Sequence, residues 1–250
     1  VTPVPRLAAP PDPDRVRSRL LREEADTRTV RGLARVAFEG PYGSGSASQA
    51  VVVALPDRAR VEALTPLGTT ALVATVRADE LRVDAPLRHE YWTGRATREA
   101  VGRLLKVPVP PELLLRLLAG LPPLPLRAQD PRLSLAPDGA AVRVESVDGP
   151  HWQRLWVEGE DPEAVRGEVG RASAVLFTFA FADWRPAGER RFPFDLRIED
   201  SATRSRLRAQ YERVELNLPA DPALFELPPP ADPRTRIIDL EGGGPGRGAP

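Results

Sequence analysis

Two histidines, three closely spaced serines and one acidic cluster are the residues of this 250-residue chain whose types could do chemistry. His89 and His151 would be general bases or metal ligands, but neither stands at ligand spacing with a second histidine or a suitable carboxylate pair. His89 and Glu90, read as neighbours on a strand, point to opposite faces. Ser44, Ser46 and Ser48 in GPYGSGSAS look like a glycine-framed nucleophile, yet no strand-to-helix elbow follows to expose one of them, and the stretch reads as a hairpin loop. Glu158, Glu160, Asp161 and Glu163 lack the spacing of a calcium loop and read as a solvated turn. Gly242 to Gly248 is glycine-rich but follows no βα unit, so no phosphate cradle is expected there. The chain contains no cysteine, which removes disulfides, thiolate metal sites and thiol nucleophiles together. The expectation is a protein with no catalytic residue, no metal and no cofactor.

Composition narrows the partners. With 35 basic and 35 acidic residues the net charge is zero, which argues against nucleic acid or another polyanion as a bulk electrostatic partner. Lys106 is the only lysine, so the positive charge is almost all arginine, as a coding bias produces. Hydrophobic residues make up 42% of the chain, enough for a sizeable core, and no apolar run is long enough to span a membrane as a helix. The absence of methionine leads us to expect a removed N-terminal segment, an export signal being the economical one.

The elements that must position any site follow from periodicity. Residues 1–13, with five prolines, read as an extended tether, and Asp14 to Asp26 as a helix capped by Asp12 or Asp14 with Val16, Leu20 and Leu21 on its apolar side. From Thr29 the period becomes two, as in VRGLARVAFEG and ELRVDAP, where apolar and charged residues alternate as in half-buried antiparallel strands. Two short helices interrupt this pattern. Thr97 caps the first, in which Val101, Leu104 and Leu105 share a face; Pro111 opens the second, which carries Leu113, Leu114, Leu115, Leu117 and Leu118 before Gly120 closes it. Alternation then resumes through FTFAF and FPFDLRIED to Leu218, with one slip near Glu212 and Arg213 that reads as a bulge. Ile237-Ile238 can add a last edge strand, and 241–250 reads as a disordered tail.

About ten or eleven strands with only three helices predict a mainly β fold: a curved, incomplete antiparallel β-barrel whose concave apolar face is capped by a helical lid at 97–120. Such an interior suits an acyl chain better than a sugar or a nucleotide. Candidate lipid-binding residues are Val36, Phe38 and Val53 on the early strands, Leu72 and Trp92 after them, and Leu104, Leu105, Leu114, Leu117 and Leu118 on the helices. The late strands add Phe177, Phe179, Phe181, Phe194 and Leu196, an aromatic set that ordinary core filling would equally explain.

The order of parts, from VRGLARVAFEG through TPLGTTALVATVRADELRVDAP, HEYWTG and the helical pair to FPFDLRIED and RVELNLPADPALFELPPP, resembles the LolA/LolB-like lipoprotein carriers and receptors of the bacterial envelope. Within them it is most similar to the LolB-like outer-membrane lipoproteins, over roughly residues 14–240. The resemblance implies one domain over that range, a hydrophobic cavity for the acyl chains of lipoproteins or lipid, and a monomer at the periplasmic face of the outer membrane, held by a lipidated cysteine upstream of Val1. It also implies a hydrophobic membrane-transfer tip between two early strands; Thr65-Pro66-Leu67-Gly68 occupies the matching place, and Leu67 is the candidate, the alternative being that it folds back onto the core. The proline-rich entry, the glycine-rich exit and the long 121–141 connection depart from the family pattern. They leave open a structural or assembly lipoprotein that uses the same fold as a protein-binding scaffold or sensor.

Overall fold

The computed structural model describes residues 12–41, 43–126, 132–136, 141–158 and 164–241. The expected tether over 1–13 and tail over 241–250 lie almost wholly outside the described residues, as do Asp138, Gly139, Glu160, Asp161 and Glu163.

Helix α1 (Pro13–Asp26) opens the described chain, with the Asp12 carboxylate accepting from the Asp14 N–H at 3.0 Å and Pro13 in the first turn. A meander follows: β1 (Thr29–Gly40), β2 (Gly43–Ala54), β3 (Arg58–Leu64), β4 (Thr70–Arg77), β5 (Glu80–Ala85) and β6 (Glu90–Arg95). Helices α2 (Arg98–Leu105) and α3 (Pro111–Leu118) then lead to a second meander. It comprises β7 (Arg132–Leu135), β8 (Ala141–Asp148), β9 (His151–Glu158), β10 (Ala164–Arg171), β11 (Ala174–Ala187), β12 (Arg190–Asp200) and β13 (Arg206–Leu216). The last strand of this half returns to the first strand of the other: β13 pairs antiparallel with β1, from Val30 opposite Leu216 to Glu39 opposite Arg206. That seam joins the halves into one curved open sheet in the order β14-β6-β5-β4-β3-β2-β1-β13-β12-β11-β10-β9-β8-β7. Strand β14 (Arg236–Asp239) runs parallel to β6, whereas every other described pair is antiparallel.

The sheet holds fourteen described strands where periodicity indicated ten or eleven, and the reasons are local. Strand β10 reads AVRGEVGR, and its glycines hide the alternation. A Cβ on Gly167 would sit 2.7 Å from the Phe179 ring and one on Gly170 2.1 Å from the Trp152 ring, so aromatic neighbours occupy the space where side chains would be. The four-residue β7 is too short to show a period. GSGSAS is not a loop but the first half of β2, laddered to β1 as far as Gly40 opposite Gly43. His89 is not on a strand: it takes a left-handed φ of 51° in the turn before β6. The bulge is where the slip indicated, since Leu33 faces Arg213 and Ala34 faces Tyr211, leaving Glu212 unpaired.

Candidate functional site

The two halves of the concave face are filled differently. On the C-terminal half Phe177, Phe179, Phe181, Phe194 and Leu196 are buried in one core with Val16 and Leu20 of α1 and with Leu124 and Leu126. Their rings meet edge to face, Phe179 to Phe181 at 5.4 Å and Phe181 to Trp184 at 6.3 Å. On the N-terminal half the strands present short side chains instead: Val51, Ala59, Val61, Ala63, Ala74 and Val76. The helical pair lies over these, and an apolar chamber of about 150 Å³ remains beneath it.

Of the residues singled out from sequence, Val36, Leu72, Leu104, Leu105, Leu114 and Leu118 line this chamber. Val53 and Leu117 are buried in the core outside it. Trp92 packs against a second cluster with Leu81, Val83 and Ala100, and its buried indole N–H has no partner among the described residues. Phe38 lies over Gly45 near the end of the β1–β2 ladder. The aromatic set lies outside the chamber altogether, because rings that meet each other leave no void. Sequence reasoning left out of the candidate set Gln49, Val51, Val61, Val76, Val101, Leu81, Leu115 and Leu207, and with them the alanines at 59, 63, 74 and 209. The signal of the alanines is smallness: alternation marks which residues face inward, while side-chain volume marks where inward-facing residues fail to fill the space.

Gln49 is the one polar side chain in the lining, and it marks an end of the chamber. It pairs across the sheet with Ala63, which pairs with Leu72, and all three are partly exposed; further in, Val51, Ala59, Ala74 and Leu81 are buried while Val61 and Val76 are partly exposed. The row of Gln49, Ala63 and Leu72 is the end of the chamber next to the loop at residues 65–69 that joins β3 to β4. In that loop the Thr65 carbonyl accepts from the Gly68 N–H at 2.9 Å and the Thr65 N–H donates to the Thr69 carbonyl at 2.8 Å. Gly68 supplies the positive φ of 79° that closes the turn. Leu67 at its tip is 91% exposed and does not fold back.

Polar anchors hold the helices at their ends. The Arg98 guanidinium on α2 donates to the fully buried Asp200 carboxylate at 2.9 Å and to the Pro108 carbonyl at 2.9 Å. On α3, Arg116 donates to Glu24 of α1 at 2.8 Å and to the Pro122 carbonyl at 2.9 Å. The Tyr211 hydroxyl donates to the Leu118 carbonyl at 2.9 Å, and complete burial pushes its pKa upward, so the phenol stays a donor. Between these anchors the leucines of α2 and α3 rest over the void.

On the outer face an open groove of about 1120 Å³ crosses β9 to β13, β1 and β2. Arg166, stacked on Trp156 at 5.2 Å, lines it with Arg197 and Arg208, which face each other across strands and share the Asp195 carboxylate. Among the described residues no group of three or more His, Asp or Glu side chains could hold a metal ion, and no helix is long and apolar enough to cross a membrane.

No protein-family model and no curated protein sequence matches the chain. Solved structures do. A DUF1329 family protein from Desulfovibrio piger superposes with a TM-score of 0.60 at 10% identity, over 88% of this chain and 98% of its own. A LolA superfamily protein from Nitrosomonas europaea gives 0.54 at 12% identity, over 84% and 97%. A putative outer membrane lipoprotein-sorting protein domain from Vibrio parahaemolyticus gives 0.54 at 12%, over 84% and 95%. At these identities the likeness concerns architecture, and it covers nearly all of each neighbour: the chain has the fold of the LolA superfamily proteins.

Proposed function

We propose that this chain is an exported lipid-handling protein of the bacterial envelope that takes acyl chains, those of lipoproteins foremost, between its helical pair and the N-terminal half of its sheet. The observation that carries this reading is the apolar chamber roofed by leucines of α2 and α3. At about 150 Å³ it is smaller than ligand pockets, which start at about 300 Å³, so an acyl chain enters by displacing the helices. Uptake is then an exchange in which acyl methylenes replace lid leucines against the same strands, and only the difference between the two burials drives it. The name of the lipoprotein-sorting neighbour supports an envelope location. On this reading the protein works as a monomer at the periplasmic face of the outer membrane, held by an N-terminal lipid, with Leu67 as its membrane-transfer tip.

Native mass spectrometry of protein purified from membranes, together with uptake of a fluorescent fatty acid, tests the proposal. Copurifying lipid and saturable uptake are expected; lipid-free protein with no uptake overturns it. A scaffold role is the second reading, favoured by the open outer groove. It predicts crosslinks to an envelope protein that Arg197→Glu abolishes, in protein that carries no lipid.

A further inference from the structure

Besides Leu67, the turn between β5 and β6 holds a leucine out in solvent. Leu87 is 67% exposed in the short 3₁₀ turn Pro86–Arg88, which closes through the His89 N–H to the Pro86 carbonyl at 3.2 Å. The left-handed His89 ends the turn. The side chain is thus held outward by a closed backbone, as Leu67 is in its own loop. Arg88 beside it is exposed and makes no ion pair with a described residue.

The two turns leave the same end of the sheet. Strands β3 and β5 run the same way between their antiparallel neighbours, so the β3–β4 loop and the β5–β6 turn leave from one end, where the β4–β5 ladder finishes at Val73 opposite Asp84. The row Gln49, Ala63 and Leu72 of the chamber lining, partly exposed, lies at this end as well.

We infer that the Leu87–Arg88 turn is a second membrane contact that works with the Leu67 loop, Leu87 entering the acyl boundary and Arg88 meeting headgroup phosphates. Three observations favour a lipid surface as the partner. Two apolar side chains project from adjacent closed turns, as insertion into an interface requires. The cation next to Leu87 is exposed, pairs with no carboxylate among the described residues and can meet an anionic headgroup layer. The partly exposed end of the chamber lining at Gln49, Ala63 and Leu72 lies on this side, so an acyl chain leaving the bilayer meets Leu72 after a short path through water. The inference rests on the lipid-handling reading and assigns its membrane-facing side.

Cosedimentation of the full chain with phosphatidylethanolamine vesicles, with and without phosphatidylglycerol, tests it. Leu87→Glu is expected to lower vesicle partition about tenfold, as removing one apolar side chain from an interface does. Arg88→Ala should lower it only where phosphatidylglycerol is present. Val147 is as exposed, at 67%, but sits on β8 in the far half of the sheet, so Val147→Glu should leave partition unchanged. Fatty-acid uptake from solution should persist in all three variants, because none lines the chamber. Partition unaffected by Leu87→Glu, or reduced as much by Val147→Glu, overturns the inference. Wild-type protein that takes up no fatty acid but still binds vesicles through Leu87 overturns the carrier reading alone.

Discussion

Single side chains decide both the shape of the chamber and part of the pH response. Ala74 is buried in the chamber wall, facing Val61 and Val83 on the adjacent strands. Ala74→Leu adds methyl groups where a void exists, so stability should rise by about 0.5–2 kcal/mol while fatty-acid uptake falls, checked by thermal unfolding and fluorescence titration. A loss of stability would mean that the void is too small to receive them. Asp195 illustrates linkage. Burial alone would raise its carboxyl, but hydrogen bonds from Arg208 and Arg197 hold it below the usual carboxylate value. A lowered folded value means that its stabilising contribution is complete above about pH 4 and is lost as pH falls through that folded value. Both arginines are about half exposed, so the contribution is modest, about 1 kcal/mol. Asp195→Asn should therefore lower the denaturation midpoint at neutral pH and flatten its decline below about pH 4.

Helices α2 and α3 form where capping and spacing require: the Thr97 hydroxyl accepts from the Ala100 N–H at 3.1 Å, and Pro111 opens α3. Burying each leucine of α3 is worth about 1.5–3 kcal/mol, so the helix cannot stand free of the sheet. Its partners in ion pairs lie far away in sequence, however. Arg98 meets Asp200 across 102 residues and Arg116 meets Glu24 across 92, and no one-dimensional pattern marks either pair. Among the described residues, Arg98→Ala leaves the buried Asp200 with the Thr203 N–H and hydroxyl as its side-chain oxygens' direct donors, at a cost of about 1–3 kcal/mol. Amide exchange should quicken in residues 98–105 and remain unchanged in β9 to β11, and fatty-acid uptake should become faster. Unchanged exchange in α2 would show that its leucines alone hold it down.

Across the whole molecule the C-terminal segment ties the sheet together. Asn217, left-handed at φ 58°, takes the Arg28 N–H on its side-chain oxygen at 2.9 Å, and the chain then crosses the outer face of the N-terminal half. There Phe225 is buried, Arg60 and Arg82 donate to the carbonyls of Leu224 and Leu227, and β14 finally covers the edge of β6. Among the described residues no such strap crosses the outer face of the C-terminal half, which carries the open groove. Phe225→Ala should cost about 3–5 kcal/mol in denaturant unfolding. A chain ending at residue 218 uncovers the β6 edge and should self-associate in analytical ultracentrifugation, because an unpaired edge recruits strands. A monomeric truncated chain would show that β6 protects itself.

Inward and outward faces, both lid helices with their caps, the bulge at Glu212 and the mainly β class follow from residue order, since each depends on neighbours within a turn of helix or a few residues of strand. Strand β10 escaped because its glycines answer to rings on β9 and β11, which lie beside it only once the sheet forms. The return of β13 to β1 and the parallel placement of β14 escaped for the same reason. The chamber is the plainest case. Apolar periodicity says that valine, alanine and phenylalanine all face inward, and it is silent on which of them will meet a helix that fills the space. A void is the difference between two volumes brought together from distant parts of the chain, and that difference exists only in three dimensions.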